Sequence, residues 1–393
     1  MTRGRIYLDH AATTPVEPDV LEVVLPILRG AAGNPSSPYR EGRDAKDALE
    51  DARARTAQVL GAEPGEIVFT GSGSEGASLA IRGAAFAARR QGRAHLITSA
   101  IEHSCVLRTI RQLERHHGFE ATYLPVDAAG QLKAKAVLAA LRADTALVSV
   151  QYANSEVGVI QPIAAIGRAV RDHPALFHSD AVQAPGSLTL DTQALGVDLF
   201  SIAGHKFYAP KGVGALYVRS GVRLVPQVMG GTQERGRRAG TENVAYAVGL
   251  AHALARAEAR RTTYVAHTRA LSEILVKGIL GLPGARLNGP SQGRLPNNTN
   301  VCLEGADSEA LLLALDREGI AASSGSACTS ASLEPSHVLL AMGIPAHIAR
   351  SSLRLTTGRS NTEDQMRRVV AVLGEIVAKL RRPTAVATEA GIV

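Results

Sequence analysis

The chain has little of what stabilises a secreted protein or anchors a membrane protein. It contains three cysteines in 393 residues, and none of them forms a C-x-x-C pair. This argues against a disulfide framework and against a structural zinc or cluster site, and it favours a reducing compartment. The apolar run at residues 6–8 is too short for a signal peptide or a spanning helix. We therefore expect a cytoplasmic protein with no metal centre and no membrane partner.

Acidic residues are outnumbered by basic ones, and the formal net charge is +7. Much of the basic excess lies in residues 235–238 and 108–115, and a basic surface can suit nucleic acid or an acidic protein. In the second segment, however, Leu107, Ile110 and Leu113 alternate with arginines at helical spacing. This pattern is typical of an amphipathic helix with one solvated face, so it does not favour direct nucleic-acid binding.

Short β-branched runs alternate with Ala- and Arg-rich stretches in the first two thirds of the chain. The runs are residues 66–70, 95–98, 121–124, 146–150, 176–179, 198–201 and 214–218. Such alternation predicts an α/β fold in which helices cover both faces of a mostly parallel sheet. From about residue 250 the pattern changes to a long helix, predicted over 250–279, a Gly/Pro/Asn-rich stretch and a last helix over 362–380. These segments predict a second, smaller α+β domain.

Residues 71–76 read Gly-Ser-Gly-Ser-Glu-Gly, between a predicted strand ending at Thr70 and a predicted helix. Free backbone N–H groups at a helix start bind phosphate, whether a pyrophosphate or a phosphomonoester. The turn also satisfies G-x-G-x-x-G, so a dinucleotide site is an alternative. Against this alternative, no acidic residue closes the next strand, which ends at residues 97–100.

Two further segments follow predicted strands, where the loops of a parallel sheet converge. Lys206 comes directly after Gly204 and His205, and a lysine at a strand end can lose solvation and become a nucleophile toward carbonyl groups. Asp180 and Gln183 could pair with a protonated pyridine nitrogen and with a phenolic oxygen on the same ring. In isolation, a role as N-cap of the following helix explains Asp180 better.

Cys328 lies in a run of small polar residues, 323–332, that cannot build a packed core. We predict a loop that presents one thiol, able to ionise, attack a sulfur atom and carry it away. On this feature alone, a cysteine that fills apolar space is the more common case. Cys105 and Cys302 are interpreted as packing residues.

Together these segments resemble the cysteine desulfurases, in the class V aminotransferase group of pyridoxal phosphate (PLP) enzymes. Within that group the chain is similar to the subgroup with a long catalytic cysteine loop, which serves iron–sulfur cluster assembly. The similarity extends over nearly the whole chain, from residues 7–15 through 33–37 to 352–355, and its most specific part is residues 324–339. It implies PLP fold type I with a seven-stranded sheet, PLP as cofactor and a homodimer with composite sites. The expected domains are a large PLP-binding domain at 16–255 and a small C-terminal domain at 256–393, with residues 1–15 packing on the small one.

The resemblance also implies roles for individual residues. Lys206 would hold the cofactor covalently and move the α-proton of the substrate, while His103 would stack on the ring and assist proton transfer. Cys328, on a loop at about 323–335, would take sulfur from L-cysteine and leave L-alanine. Arg354 and Asn34 would bind the substrate carboxylate. The other cofactor contacts within the same subunit would come from Gly73, Ser74, Ser155, Asp180, Gln183, Ser201 and His205. One further contact would come from Thr241 of the partner subunit.

Some positions depart from the family pattern. Ser155 stands where relatives usually have asparagine, and Ala203 stands where they usually have serine. The phosphate turn reads Gly-Ser-Glu-Gly rather than Ala-Thr-Glu-Ser. These changes remove or shorten hydrogen-bonding groups, so we expect weaker cofactor binding than is usual, by about 1 kcal/mol for each lost bond.

The sulfur acceptor is expected to be a scaffold or carrier protein, used for cluster assembly or for tRNA or DNA modification. A selenocysteine lyase or another PLP enzyme of the same fold is an alternative, although an aminotransferase needs no thiol at position 328. A dinucleotide- or nucleic-acid-binding protein is a remote alternative.

Overall fold

The structure is a computed structural model that describes residues 4–30, 33–325 and 334–381. The strands are β1 Ile6–Tyr7, β2 Ile67–Thr70, β3 His95–Ser99, β4 Glu120–Leu124, β5 Thr145–Ser149, β6 Leu176–Asp180, β7 Leu199–Ala203, β8 Gly214–Val218, β9 Ala285–Leu287, β10 Asn298–Leu303, β11 Ile320–Ala321 and β12 Ser352–Thr356. The α-helices are α1 Pro18–Gly30, α2 Arg40–Leu60, α3 Gly73–Arg89, α4 Ser104–His117, α5 Ala134–Ala140, α6 Ile163–Val170, α7 Thr192–Leu195, α8 Val244–Ala259, α9 Arg261–Leu280, α10 Ser308–Arg317, α11 His337–Ala341, α12 Ala346–Ala349 and α13 Glu363–Leu380. Short 3₁₀ turns cover Pro64–Glu66, Gly204–Lys206 and Gln233–Gly236.

The seven predicted strand segments form one sheet in the order β2-β8-β7-β6-β5-β3-β4. The five strands from β7 to β4 are parallel, whereas β8 runs antiparallel to both of its neighbours. This confirms the predicted mostly parallel α/β sheet. Because β2 is an edge strand with only an antiparallel neighbour, the phosphate turn after it lacks the parallel pairing of a dinucleotide-binding unit.

The strands are nearly continuous apolar runs because the sheet is covered on both faces. One apolar cluster includes Ile97, Val148 and Phe177, which are fully buried, and α8 packs in the same cluster. The cluster on the other face includes Leu96, Leu147 and the alanine-rich side of α3. Side chains therefore alternate between two cores along each strand, and the polar loops at the carboxyl ends of the parallel strands meet along one edge.

A smaller antiparallel sheet, β12-β10-β9, packs with α9, α10 and α13 around a third apolar cluster. The N-terminal strand β1 pairs in parallel with β11, and Ile6 and Leu8 are buried in this cluster. The last predicted helix is found as α13, with Thr362 as its N-cap.

The structure corrects the prediction of one helix over residues 250–279. Two helices, α8 and α9, occupy this region, and they are separated at Arg260, whose backbone is non-helical. The first packs on α1 and α2, and the second packs on α13. No helix-breaking residue marks the join, so tertiary packing outweighs local propensity here. Within the described residues, no helix is both long and apolar enough to span a membrane.

Candidate active site

A cavity of about 320 Å³ opens at the carboxyl edge of the large sheet. Its wall combines loops that follow β3, β5, β6 and β7 with the N-terminal segment and with Arg354 of β12. Of the residues predicted for the site, the lining includes Gly73, Ser74, His103, Ser155, Asp180, Gln183, His205, Lys206 and Arg354. Cys328 lies outside the described residues, but Gly325, three positions before it, is part of the wall.

Lys206 ends the 3₁₀ turn that follows β7, and its side chain reaches the N-terminal segment. The Nζ atom donates to the carbonyl oxygens of Ala11 at 2.6 Å and Ala12 at 2.8 Å. The segment is fixed in turn by the Thr14 N–H, which donates to the His205 carbonyl at 2.8 Å. The amine is therefore held at the cavity wall in a defined position, as a covalent anchor requires.

Asp180 is the last residue of β6, and it is buried while facing the cavity. Its Oδ1 accepts from the Val182 N–H at 3.0 Å. Burial raises the pKa of Asp180, and the nearby His103 and Lys206 oppose this shift. A buried carboxyl group of this kind is best stabilised by a cation brought into the cavity, and a protonated pyridine nitrogen is such a cation.

His103 is the N-cap of α4, and its ring Nδ1 accepts from the Cys105 N–H at 3.2 Å. Burial lowers the pKa of His103, so the ring is favoured in its neutral form, which suits stacking on another ring. The ligand-type atoms of His103, Cys105 and Asp180 all lie within 4.8 Å of one another. This corner of the cavity could therefore also hold a metal ion.

The first turn of α3 supplies a cradle for an anion. Gly73 and Ser74 line the cavity, and Ser72 caps the helix by accepting from the Glu75 N–H at 3.1 Å. A Cβ on Gly73 would lie 2.7 Å from Val182 Cγ2, so a larger residue here would force the Val182 side chain to shift. Burial and the neighbouring lysines lower the pKa of His205 to about 4. The anion cradle, the buried carboxyl group and the fixed amine together fit the phosphate, ring nitrogen and carbonyl of PLP.

Arg354 is only 2% exposed, and its guanidinium binds three other segments. Nη2 donates to Asp9 Oδ1 at 2.7 Å, and Nη1 donates to the carbonyl oxygens of Ser155 and Gly325, both at 2.9 Å. Nε is buried, and within the described part of the chain it has no hydrogen-bond partner. A guanidinium carries five N–H donors, so donors remain for a carboxylate in the cavity.

Three residues predicted for the site lie away from the cavity lining. Asn34 is exposed, and its Oδ1 accepts from the Ser36 N–H at 2.9 Å. Ser201 is buried within β7, where its hydroxyl lies 3.2 Å from the His178 ring, so its side chain is engaged inside the sheet. Thr241 is exposed on the chain surface.

Several residues that line the cavity were not predicted from the sequence to belong to the site, namely Glu102, Cys105, Asn154, Glu156 and His337. Cys105 was interpreted as a packing residue, but its Sγ lies 3.0 Å from His103 Nδ1. Burial strongly raises the pKa of this thiol, so it is an unreactive cysteine beside the ring site. In the sequence, Glu102 and Cys105 could have been recognised as site residues from their position next to His103, just after a predicted strand.

Glu102 is a fully buried carboxyl group in the cavity wall. Its Oε1 accepts from Ser99 Oγ at 2.5 Å and from the Gln151 N–H at 3.0 Å, while Oε2 has no partner among the described residues. Burial, reinforced by Asp180, raises the pKa of Glu102 from 4.5 to about 8. At neutral pH the group therefore keeps its proton.

We expect Glu102→Gln to weaken the pH dependence of stability. The folded protein retains the Glu102 proton between its unfolded pKa of 4.5 and its folded pKa of about 8, whereas the unfolded chain loses it. The stabilising contribution is thus complete below the unfolded pKa and is lost as the pH rises through the folded one. Urea unfolding midpoints of the cofactor-free protein at about pH 5, 7 and 9 would measure this effect. The unfolding midpoint of the glutamine variant should exceed that of the wild type by an amount that grows with pH. If the midpoints of the two proteins instead change in parallel with pH, the raised pKa of Glu102 would be contradicted.

The comparisons with known proteins agree with this geometry. The profile of the family described as aminotransferase class-V matches residues 6–369. The cysteine desulfurase IscS of Methanosarcina thermophila is 49% identical over 376 residues, which make up 96% of this chain and 93% of that protein. A solved NifS-like protein superposes with a TM-score of 0.89 at 36% identity and covers 95% of this chain and 100% of its own. A structure of SspA in complex with cysteine gives a TM-score of 0.79 at 37% identity and covers 91% of this chain and 100% of its own.

The fold is that of the PLP-dependent enzymes of fold type I. Their cofactor, PLP, suits the anion cradle, the buried carboxyl group and the amine described above. The chain belongs to the aminotransferase class-V family, and within it to the cysteine desulfurases. This confirms the resemblance on which the sequence prediction depended, and it favours a single cofactor phosphate over a dinucleotide at the turn before α3.

Proposed function

We propose that this protein converts L-cysteine to L-alanine and leaves the sulfur as a persulfide on Cys328, from which an acceptor takes it. One observation carries the proposal: Lys206, Asp180 and Arg354 face a single cavity, and the chain segment that leads to Cys328 begins at its wall with Gly325. An amine, a ring-pairing carboxyl group and a carboxylate-binding guanidinium are the groups that a PLP enzyme needs to bind an amino acid.

When bound, PLP would draw electrons from the substrate carbons and so weaken the bonds to the α-proton and to sulfur. Asp180 would keep a proton at the ring nitrogen, and Gln183 and Ser155 would bind the phenolic oxygen. Gly73, Ser74 and His205 would bind the phosphate. Lys206 would hold the cofactor covalently, and its amine, once free, would move the α-proton of the substrate with the help of His103.

The sulfur step requires a soft nucleophile and no oxidant. The thiolate of Cys328 attacks the sulfur of cysteine, and a sulfur–sulfur bond forms as the carbon–sulfur bond breaks. The electron pair of the broken bond stays with the substrate carbon, which takes up a proton to become the methyl group of alanine. Arg354 holds the substrate carboxylate during this step.

The direct test is to incubate the purified protein with PLP, L-cysteine and a thiol reductant, and to measure sulfide and alanine together. We expect the two products in equal amounts, and no alanine from L-serine, which has no sulfur to transfer. A protein that stays colourless with PLP, or that forms sulfide without alanine, would overturn the proposal.

The active form is a homodimer in which Thr241 completes the phosphate site of the partner subunit. Thr241 is exposed and is not among the described residues that line the cavity of its own chain, which suits a contact across subunits. Nearby in sequence, Met229 is 75% exposed and Val228 is 43% exposed. Exposed apolar side chains beside a functional residue are typical of an interface.

The composite site can be tested by mixing variants, with Thr241→Val in one subunit and Lys206→Ala in the other. Thr241→Val alone should weaken PLP binding by roughly 10- to 100-fold, because a hydrogen bond to a charged phosphate is lost. In the mixed dimer, one site receives both defects and the other receives neither. We therefore expect tight PLP binding at one site per mixed dimer. The two variants carry different tags, so that the mixed dimer can be separated from the two parent dimers before the measurement. Failure of mixing to restore that site would place Thr241 outside the partner's phosphate site.

The sulfur acceptor is a scaffold or carrier protein in the cytoplasm, where a reducing environment keeps the carrier thiol of Cys328 available. The net charge of +7 favours an acidic acceptor surface. The large domain comprises residues 16–255 and the small one 256–393, and residues 1–15 belong with the small domain. The burial of Ile6 and Leu8 in the third apolar cluster supports this division.

A further inference from the structure

We propose that Asp9 is a positioning residue for carboxylate recognition: it fixes the Arg354 guanidinium so that two N–H donors remain for the carboxylate of the substrate. This inference rests on the proposed function, because it concerns the amino-acid substrate of the same cavity. Asp9 was not among the residues that the sequence analysis assigned to the site.

The hydrogen bonds of Arg354 leave a specific set of donors. Its two Nη1 donors are engaged by the carbonyl oxygens of Ser155 and Gly325, each at 2.9 Å. One Nη2 donor binds Asp9 Oδ1 at 2.7 Å. Among the residues that the structure describes, nothing accepts from the second Nη2 donor, and the buried Nε has no partner. Two donors of one planar guanidinium match the two oxygens of a carboxylate.

Asp9 is itself held in place by hydrogen bonds to its own carbonyl oxygen and by a hydrogen bond from the next residue. Its carbonyl oxygen accepts from the Tyr7 hydroxyl at 3.0 Å and from the Ala12 N–H at 3.0 Å. The next residue, His10, donates its N–H to the Thr356 carbonyl oxygen at 3.4 Å. The carboxylate that binds Arg354 is therefore part of a fixed segment, and the same segment also holds the Lys206 amine through Ala11 and Ala12.

The burial of Arg354 explains why an anion is required at this position. The Arg354 side chain is 3% exposed, whereas that of Asp9 is 18% exposed. A buried guanidinium without a charged partner is costly, and a longer or neutral partner would let it turn toward other acceptors. Asp9 compensates the positive charge of the Arg354 guanidinium from one side. The remaining N–H donors of Arg354 therefore keep a fixed direction toward the cavity. The competing possibility is that Asp9 occupies the place of the substrate carboxylate and must be displaced.

The experiment compares Asp9→Asn and Asp9→Glu with the wild type. We expect Asp9→Asn to raise KM for L-cysteine by about 10-fold or more while kcat changes less than about 3-fold, because ground-state positioning is lost. Asp9→Glu, which keeps the charge, should recover part of the loss. The matched control is Asp316→Asn, which removes a different ion pair of the N-terminal segment, the exposed one with Arg5. This control should leave KM unchanged.

A second measurement does not depend on turnover. L-alanine, the expected product, should shift the absorbance of the cofactor-loaded protein, and its affinity should fall in Asp9→Asn by the same factor as KM rises. Ethylamine, which lacks the carboxylate, should bind equally to both proteins. PLP affinity should be unchanged, whereas the unfolding midpoint should fall, because the buried guanidinium loses its charged partner.

Three results would overturn the inference. Tighter L-alanine binding in Asp9→Asn would show that Asp9 competes with the substrate. Unchanged KM and L-alanine affinity would show that Arg354 needs no such partner. A parallel loss of kcat, PLP affinity and stability would assign Asp9 a purely structural role. If the wild type makes no alanine from L-cysteine, the proposed function fails instead, and L-alanine binding still tests Asp9 separately.

Discussion

Lys206→Ala is expected to lower alanine formation from L-cysteine by on the order of 10³-fold or more, because both the covalent anchor and the proton-moving amine are lost. The variant should fold normally, since the Lys206 side chain lies at the cavity wall and its loss opens no gap in the apolar core. Reduction with borohydride followed by mass spectrometry measures the anchor directly. Wild-type protein should retain PLP on the peptide that contains residue 206, and the variant should lose PLP during gel filtration.

Lys211→Ala is the matched control for this experiment. Lys211 lies five positions along the chain, is exposed and is absent from the cavity wall, so its replacement should leave the anchor and the turnover unchanged. Covalent PLP in Lys206→Ala, or loss of the anchor in Lys211→Ala, would contradict the assignment.

Cys328→Ser is expected to lower sulfide and alanine formation by on the order of 10³-fold, because a hydroxyl is a poor nucleophile toward sulfur. PLP should remain bound to Lys206 with unchanged absorbance, which separates loss of the nucleophile from loss of the cofactor. Trapping with an alkylating reagent after one turnover should place the extra sulfur atom on Cys328 of the wild type and nowhere in the variant.

The two other cysteines provide internal controls for the sulfur carrier. Cys302 is buried in the small sheet, and its Sγ accepts from Asn288 Nδ2 at 3.2 Å. Cys105 lines the cavity, but burial raises its pKa and keeps it a thiol. Serine at either position should preserve turnover within about 3-fold. Extra sulfur on Cys105 in place of Cys328 would refute the proposed carrier.

The large sheet could be predicted from the sequence because its strands are short, apolar and separated by helices. All seven predicted runs overlap observed strands, and only boundaries moved, as in β7, which extends to Ala203. The reversed direction of β8 was not predictable. Its residues are buried throughout, just as those of the parallel strand β5 are, so the sequence pattern does not distinguish the two directions. The break at Arg260 was missed for a related reason. The two helices pack on different elements, and the residues around Arg260 carry no local signal of those tertiary contacts.

The site could be predicted in part because several of its residues follow strands whose ends must meet. Lys206, Asp180 and the turn at Gly73 were found from their positions, although their roles needed the resemblance. Asp9 and Glu102 could not be found in this way. Asp9 reaches Arg354 only because β1 pairs with β11, and Glu102 acquires its raised pKa only through burial beside Asp180.

The pairing of β1 with β11 also affects the order in which the protein can be completed during synthesis. Ile6 pairs with Ile320, and Tyr7 pairs with Ala321, so the first strand has no partner until most of the chain has left the ribosome. The large sheet closes earlier, with β8 at Gly214–Val218. The Asp9–Arg354 ion pair likewise needs residue 354. A nascent chain that ends before residue 320 can therefore build the large sheet but cannot fix Arg354 at the cavity wall.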